Sequence, residues 1–250
     1  MIYITGDTHG EMNRLNTTAF PEQKSLTKED VVIICGDFGL VWDYRGESPF
    51  ERHWLDWLEQ KTFTTVFVDG NHECFARLKE YPVRKWRGGS VHEIRPSVLH
   101  LMRGEIFEIS KKRIFAFGGA SSHDMPDGLL DPEKDAGKIK SFRKRCDKYY
   151  RVIGQTWWSE ELPSQEEMER GRNNLETCGN QVDFIVTHSP SDSVLRLVGE
   201  GDGKRDILTE YLEEIKQKAA YRKWFCGHLH CDRSVSPSEE ILYERIVRIL

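Results

Sequence analysis

The sequence predicts a layered α/β domain, and three observations support that prediction. Short runs of β-branched and aromatic residues recur along the chain, and each run is too short for an ordinary helix. Their hydrophobicity is continuous rather than alternating, which is typical of strands covered on both faces. Amphipathic patterns of helical period lie between the runs, so strands and helices alternate. We therefore expect one domain over residues 1–250.

Six apolar runs are predicted to form strands. They are residues 2–4, 31–35, 65–68, 114–117, 184–186 and 224–226. Four segments are predicted to form helices, three from apolar residues that recur every three or four positions and one from a capping box. They are the segment with Met12, Leu15 and Ala19, residues 50–60, residues 207–219, and the segment that begins at Ser164 with Glu167 three residues later.

Residues 120–163 interrupt this rhythm and are predicted to be an insertion. The stretch is polar and contains Pro126, Pro132 and Pro163. Its 134–151 part is rich in Lys and Arg, which has two interpretations. A solvated helix face is the favoured one, because charge runs are usually exposed. A positive wall near a phosphate site is the alternative.

Composition limits the class of protein. The chain has 250 residues, of which 38% are hydrophobic and 31% charged, which is typical of a soluble globular protein. The net charge of -5 disfavours general nucleic-acid binding. No apolar run is long enough to span a membrane, and no leader is visible. The six cysteines form no dense framework, so we expect reduced thiols and a cytoplasmic location. A zinc site with Cys226 and Cys231 is the weaker alternative, because no C-x-x-C pair supports it.

Five polar motifs directly follow five of the predicted strands. They are Gly6-Asp7-Thr8-His9-Gly10, Gly36-Asp37-Phe38-Gly39, Gly70-Asn71-His72-Glu73, Thr187-His188-Ser189-Pro190 and Gly227-His228-Leu229-His230. The carboxyl ends of strands in a buried sheet meet at one edge, so the motifs should come together. Asp, Asn and His suit borderline divalent metals. Any single motif is as well explained by a turn or a cap, so the ordered set of five supports the metal site.

The set D-x-H, G-D, G-N-H-E, H and G-H-x-H resembles the calcineurin-like metallophosphoesterase superfamily, over residues 7–230. The resemblance implies a four-layer αββα sandwich with two central mixed β-sheets flanked by helices. It also implies two metal ions that share Asp37 as a bridging ligand. One ion would be held by Asp7, His9, Asp37 and His230, and the other by Asp37, Asn71, His188 and His228. His72 would contact the scissile phosphate and protonate or stabilise the leaving oxygen, so His72 and Asp37 are the implied catalytic residues.

The implied activity is that of a dinuclear metal-dependent phosphoesterase, which hydrolyses phosphate mono- or diesters by metal-activated hydroxide attack. We expect manganese or iron, with zinc, nickel or magnesium as alternatives, because none of the implied ligands is a thiolate. The expected partner is a phosphate-ester substrate. Membranes are excluded, and nucleic acid is a disfavoured substrate.

Other functions remain open at this stage. The Ser/Thr protein phosphatases are similar at the first and third motifs. They carry an arginine in G-D-x-V-D-R-G, but here residues 36–42 contain none. Asp69 stands before G-N-H-E where that family has a second arginine. A nuclease is disfavoured by charge, and a non-catalytic scaffold by the complete ligand set.

Two further segments are candidate substrate contacts. The segment 118–124 follows a predicted strand, and its His123 and Asp124 are either substrate contacts or part of a plain turn. Trp157 and Trp158 are interpreted as covering a core edge, with base stacking as the alternative.

Overall fold

Two large mixed β-sheets form the centre of the molecule. The computed structural model describes residues 1–200 and 205–250. Its strands are β1 (Ile2–Thr5), β2 (Val31–Ile34), β3 (Thr64–Phe67), β4 (Val83–Trp86), β5 (Gly89–Arg95), β6 (Val98–Leu101), β7 (Glu105–Ile109), β8 (Lys112–Phe117), β9 (Leu129–Leu130), β10 (Arg151–Val152), β11 (Phe184–Thr187), β12 (Lys223–Cys226), β13 (Arg233–Ser236), β14 (Glu239–Ile241) and β15 (Val247–Arg248). Its helices are α1 (Pro49–Glu59), α2 (Phe75–Leu78), α3 (Ala136–Phe142), α4 (Gln165–Thr177), α5 (Asp192–Val198) and α6 (Ile207–Lys218).

Parallel strands lie in the middle of both sheets. The first sheet has the order β15-β1-β2-β3-β6-β5-β4, and its strands β1, β2, β3 and β6 are mutually parallel. The second has the order β13-β14-β12-β11-β8-β7, with β8, β11, β12 and β14 parallel. The parallel strands end at the same edge, so the residues that follow them are brought together.

Alternate residues of the central strands enter different cores. On β1, Ile2 and Ile4 pack between the two sheets, whereas Tyr3 packs on the outer side. Helix α1 covers that outer side of the first sheet, with Leu55 and Leu58 buried in the same cluster as Tyr3. Helices α4 and α6 cover the outer face of the second sheet. The order helix, sheet, sheet, helix confirms the predicted αββα fold and explains the continuous hydrophobicity of the strands.

The predicted elements agree with the structure at most places. All six predicted strands are present, as are α1, α4 and α6, and the capping box of α4 forms between Ser164 and Glu167. The prediction of a helix that includes Met12, Leu15 and Ala19 was wrong. A 3₁₀ turn, Met12–Leu15, ends there because Asn16 Oδ1 accepts the N–H groups of Thr18 and Ala19, and Ala19 is exposed.

The segment 120–163 has a small core of its own. Strands β9 and β10 form a separate parallel pair, and α3 packs beside them through Leu130, Ile139 and Val152. The interpretation of this segment as an insertion into a single domain remains a prediction. In the described ranges, no helix combines the length and apolar character that a membrane span requires.

Candidate metal centre

The ends of five parallel strands bring the predicted ligands to one edge of the double sheet. Those from the first sheet are Asp7 and His9 after β1, Asp37 after β2 and Asn71 after β3; those from the second are His188 after β11, and His228 and His230 after β12. The backbone links the loops directly, since the N–H groups of Thr8 and His9 both donate to the carbonyl of Asp37, at 3.1 and 2.7 Å.

One group of four side chains is arranged around a common space. The ligand atoms of Asp7, His9, Asp37 and His230 all lie within 4.8 Å of one another. His9 Nε2 is 3.0 Å from His230 Nε2, and His230 Nε2 is 3.2 Å from Asp7 Oδ2. Two imidazoles and two carboxylates at these distances suit a divalent cation. These are the four residues predicted to share one ion.

A second group presents buried ligand atoms whose hydrogen-bonding capacity is unused. Asn71 Oδ1 and His188 Nε2 are buried, and in the described part of the chain neither has a hydrogen-bond partner of good geometry. Asn71 Nδ2 donates to Ser122 Oγ at 3.2 Å, and His188 Nδ1 donates to the carbonyl of Cys35 at 2.7 Å. Each contact leaves the opposite atom of the side chain available, and His188 Nε2 lies 3.3 Å from Asp37 Oδ1. A cation fits here because it would satisfy both atoms.

The charges of the centre favour a cation. Burial disfavours the charged forms of both side chains, so by itself it would raise the pKa of Asp37 and lower the pKa of His188. The His188 imidazole nevertheless holds the pKa of Asp37 well below its usual range, and the carboxylates of Asp37 and Asp7 raise the pKa of His188 to about 10. In the metal-free protein a proton on His188 therefore offsets the carboxylates, and metal binding would release it.

Several ligand positions have an unusual backbone conformation. His9, Asp37, His228 and His230 all have positive φ, at 46°, 45°, 67° and 47°. Such conformations cost about 1–3 kcal/mol each in a non-glycine residue and cluster at functional sites. The side chains are thus held in place against local backbone preference.

The motif glycines allow the loops to approach closely. Gly36 has φ of +88°, and a Cβ there would collide with the imidazole of His188. A Cβ at Gly70 would collide with the carboxylate of Asp37. The flanking glycines therefore let the motif loops pack directly against neighbouring side chains of the predicted centre.

Glu73 connects the second and third motifs. Its buried carboxylate accepts the N–H of Phe38 at 2.7 Å and the N–H of Gly70 at 2.6 Å. Burial and the charge of Asp37 raise its pKa to about 8. Sequence reasoning gave Glu73 no role, although its place in the G-N-H-E motif was a signal.

His72 lies outside the two ligand groups, as the resemblance implies. Its ring stacks on Trp42 at 5.1 Å, and its Nε2 is 4.0 Å from Asp37 Oδ2. Arg151 Nη2 donates to His72 Nε2 at 3.0 Å. Burial, with a smaller effect from Arg151, lowers the pKa of His72 to about 4 despite the opposing charge of Asp37.

The other sequence candidates have different surroundings. Asp124 binds Arg151 through both carboxylate oxygens, and the His123 ring lies 6.2 Å from that of His228. Trp158 is buried against Trp42 and Phe75, which agrees with its interpretation as a core residue. Sequence reasoning singled out neither Trp42 nor Arg151, since no motif contains them.

Comparisons with known proteins agree with this geometry. The family model of calcineurin-like phosphoesterases matches residues 1–232. The chain is 25% identical to the lariat debranching enzyme of Mus musculus, over 92% of this chain and 41% of that protein. It is 27% identical to the lariat debranching enzyme of Drosophila pseudoobscura pseudoobscura, over 92% of this chain and 42% of that protein. With lariat debranching enzyme A of Xenopus laevis the identity is 28%, over 52% and 26%.

The chain thus spans about two fifths, or less, of the length of these relatives. The family match covers residues 1–232, which contain all five motifs and strands β1 to β12. Together with the αββα fold and the clustered ligands, it shows that this chain belongs to the calcineurin-like phosphoesterase family.

Proposed function

We propose that this protein is a dinuclear metal-dependent phosphoesterase, and that phosphodiesters are its preferred substrates. The main support for this proposal is the arrangement of two ligand groups that share Asp37. The ligand atoms of one group lie within 4.8 Å of one another, and the other group has two buried atoms that make no hydrogen bond of good geometry among the described residues. One group alone would suit a single structural ion. The pair, together with half-buried His72 beside it, is suited to hydrolysis.

The seven predicted side chains would hold two cations, divided as the resemblance implies. When bound, the ions would supply Lewis acidity, lowering the pKa of a water molecule and offsetting the charge of the phosphoryl group. Manganese or iron is the expected metal, since the ligands are carboxylates, an amide and imidazoles. Ser122 orients the Asn71 amide, and Cys35 orients the His188 ring. His72 would contact the leaving oxygen.

Two observations favour diesters, with RNA as a candidate substrate. The relatives are lariat debranching enzymes, which are phosphodiesterases that act on RNA. The basic stretch 134–151 also carries eight Lys or Arg and two Asp, in contrast to the whole chain at -5. This local positive charge offsets the argument against nucleic acid that the net charge provides.

The protein phosphatase alternative gains no support from the site. Asp69 is buried and binds Arg103 and His100, so it faces away from the ligand groups and offers nothing to a phosphate. We therefore retain the broader phosphoesterase activity.

The proposal is tested by measuring the turnover of phosphate esters by protein of known metal content. Protein stripped of metal is reloaded with Mn²⁺, Fe²⁺, Zn²⁺, Ni²⁺ or Mg²⁺ and assayed with bis-p-nitrophenyl phosphate, p-nitrophenyl phosphate and a branched RNA. We expect close to two equivalents of metal and faster diester hydrolysis. Asp37→Ala should lose the second equivalent and turnover. A protein that binds two equivalents but hydrolyses none of these esters would contradict the proposal.

A further inference from the structure

Arg151 lies beside His72 at the predicted metal centre, although it belongs to the segment 120–163. Its Nη2 is 3.0 Å from His72 Nε2, and its guanidinium lies 5.6 Å from the centroid of the Trp42 ring. His72 is in turn 4.0 Å from the shared carboxylate of Asp37. A single side chain, that of His72, thus lies between Arg151 and Asp37, the ligand that both predicted ions share.

The surroundings of Arg151 hold the guanidinium rigidly. Nε and Nη2 donate to the two carboxylate oxygens of Asp124, at 3.1 and 2.7 Å, and Nη1 donates to the carbonyl of Thr156 at 3.2 Å. The neighbouring Val152 is part of the small core of the segment, which fixes the strand. The Arg151 side chain is only 6% exposed, whereas that of Asp124 is 57% exposed. Water therefore screens the carboxylate more than the guanidinium.

Arg151 is a candidate for the phosphate-binding role that arginines have in a related family. The Ser/Thr phosphatases that share the first and third motifs have arginines that clamp phosphate, and this chain has neither. Arg103, the arginine nearest to Asp69, is engaged by that buried carboxylate and by Glu167. The strand end that carries Arg151 supplies a cation beside His72 from a different part of the chain.

We propose that Arg151 binds a non-bridging oxygen of the substrate phosphate, on the side where His72 faces the leaving group. Nη2 and His72 Nε2 are 3.0 Å apart, so one oxygen can lie within hydrogen-bond distance of both. The oxygen takes the place of His72 Nε2 as the acceptor at Nη2, and no covalent bond changes. The inference rests on the proposed function and adds to it a substrate-binding residue.

The test is phosphate binding, which does not require turnover. Inorganic phosphate is titrated calorimetrically into the Mn²⁺-loaded wild type, Arg151→Ala, Arg151→Lys and Arg145→Ala. Arg145 is the matched control because it lies in the same segment and pairs with exposed Asp147. We expect Arg151→Ala to weaken phosphate binding by about 10- to 100-fold, which is usual for a lost charge-assisted hydrogen bond. Arg151→Lys should weaken it less, Arg145→Ala should not change it, and metal content should stay at the wild-type value.

Kinetics separate this role from the alternatives. For esters with good and poor leaving groups, kcat/KM of Arg151→Ala should fall by one common factor, and added guanidinium should restore part of it. Unchanged phosphate binding would overturn the inference. So would loss of metal, or a loss of turnover that grows as the leaving group becomes poorer, since Arg151 would then act through the centre or through His72. If the wild type hydrolyses no ester but Arg151→Ala still weakens phosphate binding, the proposed function fails, and only the contact between Arg151 and a phosphate oxygen stands.

Discussion

At the residue scale, the orientation of the Asn71 side-chain amide decides whether its oxygen or its nitrogen is available to the second predicted ion. The two ends of the Asn71 side chain have similar size but opposite hydrogen-bonding character. Ser122 Oγ accepts from Nδ2, while the Ser122 N–H donates to Glu161 Oε2 at 3.0 Å. Burial raises the pKa of Glu161 to about 7, against the opposing hydrogen bonds from Ser122. Glu161, Ser122 and Asn71 thus form a hydrogen-bonded chain that fixes the Asn71 amide and leaves Oδ1 available for a cation.

Replacement of Ser122 should therefore weaken the second metal ion. In Ser122→Ala, the amide loses the contact that fixes its orientation, and we expect the affinity for the second equivalent to fall by about 10- to 100-fold. Metal titration by calorimetry measures this change. Ser121→Ala is the control, since Ser121 donates to Asp206 instead. Equal affinities in the two variants would show that Ser122 has no such role.

His72 should affect turnover without affecting metal content. In His72→Asn, we expect kcat to fall by about 10²- to 10⁴-fold, the range for a lost acid–base group. Alkyl esters should lose most, because an alkoxide leaves poorly without a proton, and nitrophenyl esters should lose least. The measurement is kcat for a series of esters together with elemental analysis. A common loss for all esters would make His72 an electrostatic contact only.

At the element scale, a buried ion pair links the layers. Arg103, which follows β6, donates to Asp69 after β3 at 2.9 Å and to the carbonyl of Glu160 at 2.8 Å. His100 Nε2 lies 3.0 Å from the other oxygen of Asp69, and Glu167 of α4 lies 3.4 Å from Arg103 Nη1. Arg103 and His100 hold the pKa of Asp69 well below its usual range although burial opposes this.

Removal of Arg103 should destabilise the fold. Arg103→Ala leaves a buried carboxylate without its cation, so we expect the free energy of unfolding to fall by about 3–5 kcal/mol in urea denaturation. Because the folded pKa of Asp69 is lowered, its contribution is complete at neutral pH and is lost as the pH falls below about 4. Arg103→Met with Asp69→Leu should lose less than Arg103→Ala. A greater loss in the double variant would argue against this account.

Elements with a local signal were predictable from the sequence, and long-range contacts were not. Val31–Ile34 is buried throughout, and Asp37 stands three residues after its end, so both the strand and the site residue could be identified. The helix predicted around Met12 does not continue past Leu15, because the Asn16 side chain accepts backbone hydrogen bonds. The spacing of apolar residues gives no indication of such bonds. Arg151 is 79 positions from His72, and one arginine in a basic stretch carries no sign of its partner.

At the scale of the whole molecule, the centre joins the two sheets. The first sheet carries Asp7, His9, Asp37 and Asn71, and the second carries the three remaining predicted ligands. Ions bound by both sets would act as a cross-link between the sheets.

Metal removal should therefore lower Tm. At free metal about 100 times the Kd, binding to the native state alone contributes about 2.7 kcal/mol, or roughly 5–10 °C for a chain of this size. Thermal unfolding with added Mn²⁺ or with a chelator measures the difference. Asp37→Ala should show a much smaller shift. A Tm that is independent of metal in the wild type would show that the ions do not couple the sheets.

The division of ligands between the sheets also constrains when the centre can form during synthesis. Ribosomes make the strands that precede Asp7, Asp37 and Asn71 early, whereas His188, His228 and His230 follow more than a hundred residues later. A nascent chain therefore exposes the carboxylates long before it has the imidazoles that complete either ligand group. We therefore expect metal loading to be a late event in the maturation of this protein. A prematurely terminated product that lacks β12 would hold neither predicted ion with its full set of ligands.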